Sequence, residues 1–120
     1  MKLYIDDIRP APEGWQQART VTDAIRFISQ FRHQIDEISI DHDISYAVEV
    51  AGTQRPFPSP ENFTAVAYYI CAIFSPDDIK LTVHSANPVG AKELEKIFLD
   101  YGLVSEYKPA SRVNRLESEV

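Results

Sequence analysis

Three short apolar runs in this chain stop dead at polar clusters. "KLYI" (2–5) ends in Asp6-Asp7, "DEISI" (36–40) in Asp41-His42-Asp43, and "DIKLTV" (78–83) in His84-Ser85-Ala86-Asn87. Between such runs lie segments with helical periodicity of 10–15 residues. Strands that alternate with helices of this length imply a parallel sheet with helices packed on its faces. In such a sheet all strands point one way and ligands sit beyond their carboxyl ends. Three clusters far apart in sequence are therefore expected on one edge. Asp, Ser and Asn are common wherever a strand becomes a loop, so one cluster alone says little; their convergence is the signal.

The remaining elements follow from local patterns. "QQART" (16–20) reads as a second strand. "TVTDAIRFISQF" reads as a helix with Thr20 or Thr22 as N-cap and Ala24, Phe27, Ile28 and Phe31 on one face. "SPENFTAVAYYICAIF" (59–74) offers Ser59 as N-cap and Pro60 at the first helical position, with Phe63, Val66, Ala67, Ile70 and Phe74 facing the core. "AKELEKIFLDYG" (91–102) places Leu94, Ile97, Phe98 and Tyr101 on one face and stops at Gly102. "LVSEYKP" (103–109) is a last strand. Residues 45–58 read as irregular or as a hairpin around Gly52, and a loop this long in a compact domain is often functional. The expected architecture is one α/β domain over residues 1–109, a three-layer sandwich on a mainly parallel five-stranded sheet, with a polar, loosely held tail from 110 to 120.

Composition narrows the partners. Eighteen acidic against 12 basic residues give a net charge of −6, which argues against an extended nucleic-acid surface, since phosphate affinity depends on cationic neutralisation. One cysteine excludes an internal disulfide, and Cys71 reads as a core residue. No apolar run approaches the roughly 18 residues of a membrane span, and no basic and apolar leader precedes "MKLYID", so a soluble cytoplasmic protein is expected. His33 reads as surface.

The acidic edge limits the chemistry. Two carboxylates about 5 Å apart repel by roughly 3 kcal/mol at an effective dielectric near 20. Asp6, Asp7, Asp41 and Asp43 could not all stay ionised in one pocket without counter-charge. Mg²⁺ or another divalent cation, imidazolium from His42 or His84, or the Arg9 guanidinium would each supply it.

Aspartates after the first strand, Asp41 after the third, Ser85-Ala86 after the fourth and Lys108-Pro109 after the fifth resemble the receiver domain of two-component signalling. That resemblance implies a flavodoxin-like sheet of order 2-1-3-4-5, Mg²⁺ on Asp6, Asp7 and Asp41, phosphoryl transfer to Asp41, and phosphate contacts from Ser85 and Lys108. The segments "LYIDDIRPAPEGW", "ISIDHDI" and "VHSANPVGA" are more closely similar to the cyclic-phosphate processing receiver-like domains. This resemblance implies a small cyclic-nucleotide or related phosphodiester ligand. His42 and His84 would be the acid and base, aided by Asp41 and Asp43, with Arg9, Ser85, Asn87 and Lys108 on the phosphate. Two departures stand out. Only about nine residues link Asp7 to the second strand, fewer than a parallel crossover normally takes, so the first helix is expected to be reduced or missing. Ile44-Ser45 stand where family members often carry glycine. A phosphoacceptor receiver, a non-catalytic nucleotide binder with residues 45–58 as a lid, and a bare metal hydrolase are the competing readings.

Overall fold

The computed structural model describes residues 1–110, and for residues 45–50 and 54–60 the backbone only. In chain order the elements are β1 (Lys2–Ile5), β2 (Gln16–Ala18), α1 (Val21–Phe31), β3 (Glu37–Ile40), β4 (Asp43–Val50), β5 (Thr53–Asn62), α2 (Thr64–Ile73), β6 (Lys80–Val83), α3 (Pro88–Asp100) and β7 (Ser105–Tyr107). Five strands form a parallel sheet of order β2-β1-β3-β6-β7, while β4 and β5 form a separate antiparallel hairpin. The alternation pointed to the parallel sheet, and the order is that of the receiver-like, flavodoxin-type α/β fold that the resemblance implies. The tail expected beyond Ala110 lies outside the described residues.

Register gives the sheet two unlike faces. Leu3, Ile38 and Leu81 are cross-strand neighbours, as are Ile5, Ile40 and Val83, and all six are buried. Against this face pack Ala24 and Ile28 of α1, Val66, Ala67 and Ile70 of α2, and Ala91, Leu94, Ile97 and Phe98 of α3. Fully burying each larger side chain is worth about 1.5–3 kcal/mol, so this face carries most of the stability. The helices sit side by side, α1 on α2 and α2 on α3. The opposite face carries the rows Lys2–Glu37–Lys80 and Tyr4–Ser39–Thr82, and no helix among the described residues packs on it, so these residues build two layers where a three-layer sandwich was expected. Glu37 lies 3.8 Å from both Lys2 and Lys80.

The β1–β2 connection has no helix, as its length requires. One side chain organises it instead: Gln17 donates from Nε2 to the carbonyls of Asp6 (3.0 Å) and Arg9 (2.7 Å), and its Oε1 accepts from Ala11 N (2.8 Å). Trp15 then meets the Tyr4 ring edge-on at 6.1 Å.

Local chemistry sets the helix ends. Thr20 Oγ1 accepts from Asp23 N at 3.0 Å and starts α1. Asn87 Oδ1 accepts from Val89 N and Gly90 N, so α3 begins at Pro88, three residues before the periodicity alone suggests. It ends at Asp100, and Gly102, just past the Tyr101 cap, has the left-handed φ of 82° expected of a helix stop. The α2 start differs from expectation. Ser59 and Pro60 belong to β5, and the first turn is instead held by Asn62 Oδ1, which accepts from Thr64 N (3.0 Å) and Thr64 Oγ1 (2.6 Å). Pairing with β4 extends through Asn62, opposite Asp43, and leaves no residues for a helix to begin earlier. The hairpin turns at Ala51-Gly52, with φ of 51° and 80°. Two consecutive left-handed residues make the tight turn whose twist suits paired strands. Among the described residues no helix is long and apolar enough to cross a membrane.

Candidate active site at the carboxyl edge of the sheet

Parallel pairing continues one residue past the strand ends. Asp6 N donates to Ala18 O (3.1 Å), Asp41 N to Ile5 O (2.9 Å) and His84 N to Ile40 O (3.0 Å). The ladder thus fixes Asp6, Asp41 and His84 in one row on the helix-free face, one step beyond Tyr4, Ser39 and Thr82.

Asp6, with no exposed surface, is the hub. Its Oδ1 accepts from the backbone N–H groups of Ile8 (2.9 Å) and Arg9 (2.8 Å), closing the turn that redirects the chain after β1. Its Oδ2 lies 3.2 Å from Arg9 Nη1 and 3.0 Å from His84 Nε2. The same Arg9 Nη1 reaches Asp41 Oδ2 at 3.3 Å, so one guanidinium bridges both carboxylates. Arg9 Nη2 is buried without a hydrogen-bond partner. Asp41 Oδ1 accepts from His42 N at 2.8 Å.

His84 is held on three sides. Its Nδ1 is 2.6 Å from Ser39 Oγ, its Nε2 faces Asp6, and its ring lies flat on Tyr4 with centroids 4.2 Å apart and planes 6° apart. Nε2–H donating to Asp6, with Nδ1 accepting the serine hydroxyl, satisfies every partner.

The buried carboxylates divide their charge unevenly. Burial alone would raise the Asp6 pKa, but hydrogen bonds from His84, Ile8 N and Arg9 N outweigh it and hold Asp6 below its ordinary value. Asp41 is pushed up to about 7, first by burial and then by the Asp6 charge, against the opposing pull of His42 N and Arg9. Two like charges at close range separate in this way. Burial and the Asp6 charge also push the Tyr4 phenol up to about 12.

His42 makes a second group on the α3 side. Its Nδ1 is 2.6 Å from Asp43 Oδ1, which also accepts from Asn87 Nδ2 at 3.2 Å. Its ring lies against Gly90, where a Cβ would come within 2.5 Å of the ring Cγ and Nδ1. Its Nε2 is buried with no hydrogen bond; the Glu93 carboxylate stands 3.5 Å away, in ion-pair range but without hydrogen-bond geometry.

The expected residues are thus sorted. Asp6, Asp7, Arg9, Asp41 and His84 come together, and His42, Asp43 and Asn87 form an adjoining group joined at the Asp41–His42 peptide. Asn87 also caps α3. Ser85 is fully buried and supports its loop: its Oγ accepts from Asn87 N (3.1 Å), and its carbonyl accepts from Tyr107 Oη (3.1 Å). The Lys108 backbone N–H extends the ladder to Val83 O at 2.9 Å, and its exposed side chain makes no ion pair among the described residues. Pattern reading passed over Tyr4, Ser39, Gly90 and Glu93. Ser39 was visible as the polar residue inside an isoleucine run, and Gly90 as the glycine of "VHSANPVGA" just before the helical pattern; Tyr4 and Glu93 carried no signal.

Asp6, Asp7 and Asp41 each offer an oxygen within 4.8 Å of the others. An all-carboxylate set suits a hard divalent cation such as Mg²⁺. Arg9 now supplies the counter-charge between two of the three, so a cation there would share or replace that role.

A family model described as the cyclic-phosphate processing receiver domain matches residues 1–100. The chain belongs to this family. Comparisons with curated proteins and with solved structures give no match. In this member of the cyclic-phosphate processing receiver family, "IDDIR", "IDHD" and "VHSANPVG" carry the acidic hub, the two imidazoles and the α3 cap.

Proposed function

We propose that this receiver domain hydrolyses a small cyclic phosphodiester, such as a cyclic nucleotide, to a phosphomonoester. The observation that carries this reading is a pair of unmet buried groups beside the acidic hub: Arg9 Nη2, a donor without an acceptor, and His42 Nε2, without any hydrogen-bond partner. Buried polar atoms are nearly always paired in a finished structure. A phosphate ester brings both an acceptor and a proton-transfer partner.

The two histidines divide the work by their surroundings. Asp43, accepting from His42 Nδ1–H, leaves a lone pair on Nε2, which makes His42 the base that takes a proton from attacking water. The water oxygen forms the new bond to phosphorus as the ring P–O bond breaks. His84 Nε2–H, exchanging its bond to Asp6 for one to the leaving oxygen, supplies the proton that completes the released hydroxyl. Arg9 Nη2 and the Asn87 amide hold the non-bridging oxygens, whose charge grows in the transition state. Ser85 and Lys108 are secondary phosphate contacts that need a shift of loop or side chain to engage. When bound at Asp6, Asp7 and Asp41, a divalent cation would polarise the phosphoryl group and neutralise the acidic edge. The expected cytoplasmic setting, where small cyclic phosphates are at hand, is part of this reading.

Incubation with 2′,3′-cyclic nucleotides, 3′,5′-cyclic nucleotides and ADP-ribose 1″,2″-cyclic phosphate, with and without EDTA, tests it. Phosphomonoester formation that is lost in His42→Ala and His84→Ala supports the reading. No turnover of any of them, or full activity in His84→Ala, overturns it. Activity that survives EDTA removes the cation and keeps the histidines. A phosphoacceptor role for Asp41 is less favoured, because Arg9 and His42 N already engage both of its oxygens.

A further inference from the structure

The hairpin of β4 and β5 packs chiefly on itself, and its own geometry assigns its free edges. The turn residues Ala51 and Gly52 leave Val50 and Thr53 as the closing pair, which in a two-residue hairpin exchanges both hydrogen bonds. Counting outward, the inward-facing pairs are Val48 with Arg55 and Tyr46 with Phe57. The alternate pairs, Glu49 with Gln54, Ala47 with Pro56 and Ser45 with Pro58, turn their backbone N–H and C=O groups away from the hairpin.

Two of the three outward positions on β5 are therefore prolines, which have no N–H to offer. Pro60 follows within the irregular step between Ser45 and Asp43. Proline on a free edge is a known way to refuse a further strand. On β4 nothing equivalent exists: Ser45, Ala47 and Glu49 present a full set of outward donors and acceptors. One edge is closed and the other open. A two-stranded hairpin standing alone is only marginally stable in water, and a third strand is the usual remedy.

We infer that β4 pairs antiparallel with β4 of a second copy of this chain about a two-fold axis through Ala47. The edge is complementary to itself in that register. Ala47 meets its own counterpart, and Ser45 meets Glu49 of the second copy, giving about six backbone hydrogen bonds. Glu49 is the charged residue among the three outward positions, and the register sets each Glu49 opposite a serine rather than its own copy. Because β5 is closed on its outer side, the pairing stops at two copies and builds no filament.

Sedimentation velocity of the full chain over a wide concentration range tests this. The expected result is a dimer of twice the chain mass. Ala47→Pro, which removes an outward N–H just as Pro56 does on β5, should give a monomer, whereas Gln54→Pro on the closed edge should leave the dimer intact. Hydrogen exchange on the unmutated chain gives a second readout that does not depend on either variant folding. The amides of Ser45, Ala47 and Glu49 should gain on the order of tenfold protection as concentration rises through the dimer transition. A chain that stays monomeric with these amides unprotected overturns the inference, and so does a dimer that survives Ala47→Pro. Protection that appears only on adding a different protein also overturns it, by giving the edge to another partner.

Discussion

His84 illustrates how single residues set the character of this edge. A free imidazole would be the simplest acid or base, yet this one is locked by Ser39, Asp6 and the face of Tyr4. Ser39→Ala should leave a buried ring nitrogen unpaired, at a cost of about 1–3 kcal/mol in chemical denaturation; an unchanged midpoint would show that the hydroxyl does not hold the ring. Gly90→Ala is a sharper probe of His42. Its methyl would enter the space of the imidazole, and overpacking of this kind costs about 1–3 kcal/mol. The expected outcome is turnover reduced at least as far as by His42→Ala, with the protein still folded by circular dichroism. Asp41 carries the pH dependence. Its folded pKa of about 7 lies above the unfolded carboxyl value, so its contribution to stability is fully present below the unfolded pKa and is lost as pH rises through about 7. Relative to Asp41→Asn, the native chain should weaken between pH 4 and pH 8 (about three pKa units, on the order of 4 kcal/mol at most). Urea midpoints for both chains across that range measure it, and parallel pH profiles would sink the claim.

At the scale of elements, what was legible depended on how local the cause was. Thr20, Gly102 and the apolar faces of α1, α2 and α3 act within one or two turns of their own helices, so their patterns could be read directly, save that Tyr101, expected on the α3 face, is exposed at its cap. The hairpin was legible only as one of two readings, through its turn at Gly52. Pro56, Pro58 and Pro60 look like loop punctuation in a linear sequence, and only pairing with β4 shows that the first two occupy outward positions where a missing N–H costs nothing. The start of α2 moved for the same reason. Asn87 joins element to site, since its Oδ1 caps α3 while its Nδ2 holds Asp43. Asn87→Asp separates the two roles. The carboxylate still caps the helix, so the melting temperature should stay close to that of the native chain, whereas loss of a cap typically costs about 1 kcal/mol. A negative charge beside Asp43 replaces a donor, so turnover should fall. Loss of stability without loss of turnover would show that Asn87 serves the helix alone.

Across the whole molecule, the site exists because one face of the sheet took all the apolar residues. Alternation of isoleucine and leucine with Tyr4, Ser39 and Thr82 sends every helix of the described residues to one side and leaves the other side polar up to Asp6, Asp41 and His84. The sequence pattern told which residues would share the edge and offered Arg9 as one of several counter-charges; that Arg9 bridges Asp6 and Asp41 depends on how a helix-free connection folds back under Gln17. The bridge also shapes the response to cations. If Mg²⁺ binds at Asp6, Asp7 and Asp41, as proposed, it would stabilise the native chain by mass action, by about 2.7 kcal/mol at a hundredfold excess over the dissociation constant. Since Asp41 must be ionised to contribute fully, the rise in melting temperature with Mg²⁺ should be larger at pH 8 than at pH 5.5. Asp6→Asn should abolish it at both. A shift of equal size at the two pH values, or one that survives Asp6→Asn, would place the ion elsewhere and leave Arg9 as the counter-charge of this pocket.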